Sequence, residues 1–70
     1  MNRVYFEKGG FKSFHQAYKE KRELQRKFGI VCKIDEHENK TATLRVTSIY
    51  EESQNILRNC NFKEIKVESI

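Results

Sequence analysis

The sequence predicts a single α+β domain with the element order β-α-β-β-α-β, and three observations carry that reading. Four stretches alternate apolar and polar residues with the period of a strand. Two stretches repeat apolar residues at helical spacing. Capping residues and glycines mark the boundaries between them. The chain of 70 residues is read as one domain, 1–70. A domain of this size buries roughly 60% of the surface its unfolded form exposes, so its stability margin is narrow. Charged residues make up 34% of the chain and hydrophobic ones 37%, which is polar for a globular protein. The apolar residues are nevertheless Ile, Leu, Val, Phe and Tyr at regular spacing, and this argues against disorder.

The first run, RVYFE, is rich in strand-favouring residues and should stop at Gly9-Gly10, with Val4 and Phe6 on one face and Tyr5 on the other. Ser13 and Gln16 form a capping box that opens a helix over Phe14 to Phe28, with Gly29 as the left-handed residue beyond its end. At 100° per residue, Phe14, Ala17, Tyr18, Leu24 and Phe28 share the apolar side. Lys21 falls within that side, its stem packing while its ammonium reaches water. His15, Lys19, Arg22 and Arg26 form a stripe on the opposite side.

IVCKID alternates as a second strand, with Ile30, Cys32 and Ile34 inward, and Asn39-Lys40 supplies a hairpin turn. TATLRVT then places Ala42, Leu44 and Val46 inward and Thr43, Arg45 and Thr47 outward. Ser48 and Glu51 read as a second capping box, before a helix that buries Ile49, Ser53, Ile56, Leu57 and Cys60; Asn59 and Asn61 suit its end. FKEIKVESI closes the chain as a fourth strand, with Ile65 and Val67 on one face. Joined by right-handed crossovers, these elements give the split-βαβ, ferredoxin-like arrangement: a four-stranded antiparallel sheet with both helices on one face. The alternative is β-α-β-β-α with a frayed C-terminal tail.

Charge is unevenly placed. Residues 1–29 hold eight Lys/Arg against three Glu, or +5, whereas residues 30–70 hold six against seven Asp/Glu, or −1. This asymmetry points to an anionic partner for the N-terminal half. On the helix, Lys19, Arg22 and Arg26, joined by His15 and by Lys12 at its start, form a surface for phosphate contacts. On the open face of the sheet, Tyr5 with Lys33, Arg45 and Lys66 forms a second surface suited to single strands, on which a base could stack.

Catalytic signatures are missing. KGGFKSF has no GxGxxG or Walker spacing and reads as a plain turn. The DEHE stretch, residues 35–38, splays its side chains along a hairpin and suggests no metal cage. Cys32 and Cys60 are isolated and read as reduced, mostly buried thiols. The N-terminus lacks the apolar stretch of a signal peptide, and no run reaches the ~18 residues of a membrane span, so the expected location is cytoplasmic.

The sequence therefore predicts a small, basic, non-catalytic binding protein without cofactor or metal. Its first expected partner is nucleic acid, RNA or single-stranded. The alternative is a protein-binding regulator or inhibitor, of the kind encoded by phage or mobile elements, that docks a larger protein by an edge strand or the exposed sheet. A homodimer through either edge is compatible with both.

Overall fold

Period-two patterning in four stretches is realised as one sheet. The computed structural model describes all 70 residues, Met1–Ile70. Six elements follow in order: β1 (Asn2–Phe11), α1 (Phe14–Phe28), β2 (Lys33–Glu36), β3 (Ala42–Ser48), α2 (Glu51–Asn59) and β4 (Lys63–Ser69). All neighbouring strands are antiparallel, in the order β2-β3-β1-β4, so β1 and β3 are central and β2 and β4 are edges. This is the ferredoxin-like arrangement, with the last strand paired along β1 rather than frayed. No helix is long and apolar enough to cross a membrane.

One core forms between the sheet and the helices. Val4, Phe6 and Leu44 rise from the central strands to meet Ala17 and Leu24 of α1, Leu57 of α2, and Ile30, Cys32 and Phe62 from the connections. Phe6, Leu44 and Leu57 are the largest fully buried side chains, each worth roughly 1.5–3 kcal/mol of transfer free energy. The helix ends are closed as their sequences require. The Ser13 hydroxyl accepts from the Gln16 amide, the Gln16 side chain accepts from the Lys12 amide, and Gly29 takes the left-handed conformation (φ 69°). α2 ends in a Schellman turn: Asn61 is left-handed (φ 68°), and the Asn61 and Phe62 amides return to the Arg58 and Leu57 carbonyls.

Several expectations are corrected. β1 does not stop at the glycines. Gly10 adopts φ 84° in a bulge, after which Phe11 rejoins the ladder opposite Ala42, on the core face. β2 begins only at Lys33. The segment before it alternates as expected, with Ile30 and Cys32 buried and Val31 exposed, but the Ile30 amide is held by the Leu24 carbonyl at the end of α1 and the segment stays off β3.

Ser48 caps no helix. It is the buried last residue of β3, its hydroxyl bonding both backbone groups of Tyr50, and Tyr50 occupies the cap position of α2 without a side-chain bond. Of the residues expected inside α2 only Leu57 is fully buried. Gln54 is buried too, because its amide donates to the Ser48 carbonyl (3.0 Å) and the Asn2 carbonyl (3.1 Å) and so fastens α2 to β3 and β1. Thr43 points outward yet is buried, its hydroxyl 2.9 Å from Nε2 of His37. In β4 the register shifts between the partners of Tyr5 and Phe6, leaving Ile65 as the extra residue of a bulge; Ile65 and Val67 therefore do not share a buried face, and both are about half exposed.

Periodicity alone does not single out Lys8. It follows Val4 and Phe6 at strand spacing and thus faces the core, opposite Leu44. Its amine donates to Glu20 Oε2 of α1 at 2.6 Å and to the Cys60 carbonyl at the end of α2 at 2.9 Å, and lies 5.8 Å from the ring centres of both Phe11 and Phe62. Removing one partner of a desolvated pair strands the other, while removing both does not. Lys8→Met should therefore lower stability by about 1–2 kcal/mol, reduced from the fully buried case because water still reaches the pair. The double variant Lys8→Met/Glu20→Met should lose no more than the single one. Urea unfolding of the wild type, both single variants and the double variant measures this coupling.

Burial pushes the Cys32 thiol up to about 11. At pH 8 only about one molecule in a thousand then carries the reactive thiolate. Titration of the native protein with a disulfide reagent should label the half-buried Cys60 first, and Cys32 only at the rate at which the core opens. Equal, immediate labelling of both would contradict the buried placement of Cys32.

Candidate nucleic-acid interface

α1 presents its predicted stripe to solvent because Ala17 and Leu24 anchor the opposite side against the sheet. His15, Lys19, Arg22 and Arg26 are all exposed, and Lys12 precedes them in the turn that leads into the helix. Their electrostatic states differ. Arg26 is held by Glu23 through two hydrogen bonds of 2.8 and 3.0 Å, and Lys27 lies 3.2 Å from the same carboxylate. Bonding to Arg26, and then to Lys27, holds the Glu23 carboxyl below the usual carboxylate range. Lys12, Lys19, Lys21 and Arg22 have no carboxylate within ion-pair distance, and the remaining acid of the stretch, Glu20, turns inward to Lys8. The KEKRELQRK stretch is thus partly self-neutralised at its C-terminal end and electrostatically open at its N-terminal end.

Next to the open end lies a feature that helical periodicity assigned to the core. Phe14 and Tyr18 are 45% and 41% exposed, with their rings stacked at 6.1 Å between centres and 15° between planes. At 100° per residue they stand roughly 60° and 100° round the helix from Ala17, on the shoulder between its buried line and the cationic stripe. That angular offset was the available signal. The sheet covers a narrower arc of the helix than its apolar residues span.

The open sheet face is organised differently. Arg45 lies 2.7 Å from Asp35 and 3.6 Å from Glu7, on either side of it. The Tyr5 hydroxyl donates to Glu68 at 2.6 Å, Lys66 lies 3.3 Å from the same carboxylate and 5.6 Å from the centre of the Tyr5 ring, and Arg3 approaches Glu68 at 3.7 Å. These contacts, the Tyr5 hydrogen bond foremost, hold the Glu68 carboxyl below its ordinary range. Of the sheet residues expected to meet an anion, Tyr5, Arg45 and Lys66 are engaged with carboxylates of the same face. Lys33 is free, opposite Arg45 in the ladder. The helix group and the sheet group lie on opposite sides of the molecule, so one short ligand cannot touch both.

The remaining titratable residues form no further centre. His37 is occupied with Thr43, Asp35 with Arg45, and no three His, Cys, Asp or Glu side chains gather where they could hold a metal ion. A cleft of about 530 Å³ between α1 and the end of α2 is lined by five charged residues among ten, with Lys8 and Glu20 already paired in it. No family model, curated protein or solved structure matches the chain.

Proposed function

We propose that the protein is a small non-catalytic nucleic-acid-binding module that holds single-stranded RNA or DNA on the outer face of α1. The observation that carries this reading is the juxtaposition of Lys12, His15, Lys19 and Arg22, free of carboxylate partners, with the exposed Phe14–Tyr18 pair. Cations without internal partners lose little when they meet phosphates, and each phosphate neutralised releases condensed counterions. An aromatic shoulder beside them gives an unpaired base a surface to stack on, which a duplex cannot use. Arg26 would join by exchanging Glu23 for a phosphate. The sheet face contributes less, since a phosphate there would compete with Asp35, Glu7 and Glu68 for Arg45 and Lys66. A second reading, a regulator that docks a larger protein by an edge strand, is favoured by the half-exposed Ile65 and Val67 of β4.

Fluorescence anisotropy with labelled single strands and duplexes across a salt series tests the first reading. Log affinity should fall linearly with log salt. Lys19→Glu/Arg22→Glu/Arg26→Glu should flatten the slope by about 0.7 for each single-strand phosphate that the variant no longer neutralises. Arg45→Ala/Lys66→Ala should change it little. Absence of binding tighter than about 100 µM at low salt would overturn the proposal, because even sequence-independent phosphate contacts reach roughly 1–100 µM at physiological salt.

The aromatic pair makes a separate prediction. Phe14→Ala/Tyr18→Ala should weaken single-strand binding by about 1–3 kcal/mol per stacked base and leave the salt slope unchanged. An equal loss on duplex would mean that the rings support the helix rather than a base. Tyrosine fluorescence quenching on titration with unlabelled strand gives an independent readout.

A further inference from the structure

β4 is an edge strand with no further strand paired to its outer side. It contains no proline; Ile65 and Val67 within it are 52% and 53% exposed, and Ile70 just beyond it is 63% exposed. The phase of its backbone can be read from one bond. The Ile70 amide donates to the Met1 carbonyl at 3.1 Å, and Asn2 stands opposite Ser69. In an antiparallel ladder that bond makes Asn2–Ser69 a pair without mutual hydrogen bonds, and alternation makes Arg3–Glu68 and Tyr5–Lys66 the bonded pairs. Lys66 and Glu68 thus commit their backbone groups to β1, while Val67 and Ser69 direct theirs outward.

We propose that β4 pairs antiparallel with β4 of a second copy of this chain, about a two-fold axis at Val67, to form a continuous eight-stranded sheet. Residues with outward backbone groups must face one another, which leaves few registers. An axis at Lys66 sets that ammonium against its own copy and runs the pairing into the bulge at Ile65. An axis at Glu68 sets that carboxylate against itself. An axis at Ile65 falls on the bulge, where the strand is bent. The axis at Val67 places Lys66 opposite Glu68 of the second copy, twice, on the open face of the sheet, so that the Lys66–Glu68 pair within each copy (3.3 Å) extends into an alternating four-charge cluster across the seam. These are pairs without mutual backbone bonds, the class in which side chains approach most closely. Val67 meets its own copy through a hydrogen-bonded pair on the core side, and the regular pairing runs from Lys66 to Glu68 and stops short of the bulge at Ile65. Alternating charge, which defends an edge against indiscriminate pairing, here selects one self-complementary register. The surface involved is separate from the stripe on α1, so this inference does not rest on the proposed nucleic-acid binding.

Sedimentation velocity over a concentration series tests the pairing with the full chain. The wild type should show a concentration-dependent monomer–dimer equilibrium. Lys66→Glu sets two carboxylates against two and should raise the dimer dissociation constant by at least about tenfold, as should Glu68→Lys with two cations against two. Lys66→Glu/Glu68→Lys should restore the dimer. An equimolar mixture of the two single variants should form a heterodimer that neither forms alone, a result that loss of folding cannot produce; circular dichroism confirms that each variant is folded. If Glu68→Lys does not fold, Lys66→Glu and the double swap decide the question by themselves. A wild type that stays monomeric at about millimolar concentration overturns the proposal and leaves the edge to a different protein. Dimers equally tight in the wild type and both single variants also overturn it, because the interface then lies elsewhere.

Discussion

The structure depends on a cation held on the core face of its sheet. Lys8 stands two residues beyond Phe6, where strand spacing would place another apolar side chain, and joins three elements at one amine: β1 that carries it, Glu20 of α1, and the Cys60 carbonyl that ends α2. The last carbonyls of a helix form its negative pole, so a cation there is favoured twice, by a hydrogen bond and by the helix dipole. The rings of Phe11 and Phe62 flank the amine and limit its access to water. In a chain too short for a deep core, a charge placed this way does what a larger apolar layer does elsewhere: it fixes where the two helices lie relative to the sheet. Gln54 does the same at the other end of α2, with two backbone carbonyls as acceptors.

That inward use of Glu20 shapes the outside of α1. Five cations and two acids occupy residues 19–27. With Glu20 drawn to Lys8 and Glu23 engaged with Arg26 and Lys27, Lys19, Lys21 and Arg22 are left without partners. The opposite side of the molecule shows the reverse condition, since Glu7, Asp35 and Glu68 are interleaved among Arg3, Arg45 and Lys66. Two faces that look alike in composition therefore differ in what they can offer an anion. The asymmetry of net charge between the two halves of the chain becomes an asymmetry between the outer face of one helix and the open face of the sheet.

The two edges also differ. β2 is short, and Ile30 and Cys32 before it are buried rather than laddered, so little regular backbone is offered on that side. β4 runs for seven residues, and its helix-facing side is less well covered, which is why Val67 opposite the buried Val4 remains half exposed. The bulge at Ile65 divides β4 and leaves the stretch from Lys66 to Ser69 as its regular part. Alternation of Lys66, Val67 and Glu68 gives that stretch its character.

Element order, strand adjacency, the bounds of α1 and the outward stripe of His15, Lys19, Arg22 and Arg26 were all readable from the sequence, because they follow from local periodicity and from caps such as Ser13, Gln16 and Gly29. Individual partners were not. Periodicity marks Phe14 and Tyr18 as apolar but cannot tell how wide an arc of α1 the sheet will cover. Alternation places Ile65 with Val67 but cannot reveal a bulge, which exists only when two strands are in register. Ser48 and Glu51 have the spacing of a capping box, yet the chain uses that serine to finish β3. Composition likewise counts the carboxylates without saying which cations they will occupy. Sequence by itself determined the order of the elements and the facing of residues wherever the local period runs unbroken, since neighbours along the chain decide those. The tertiary structure alone decided which charges are spent internally and which stay open, since that depends on distances between residues far apart in the chain.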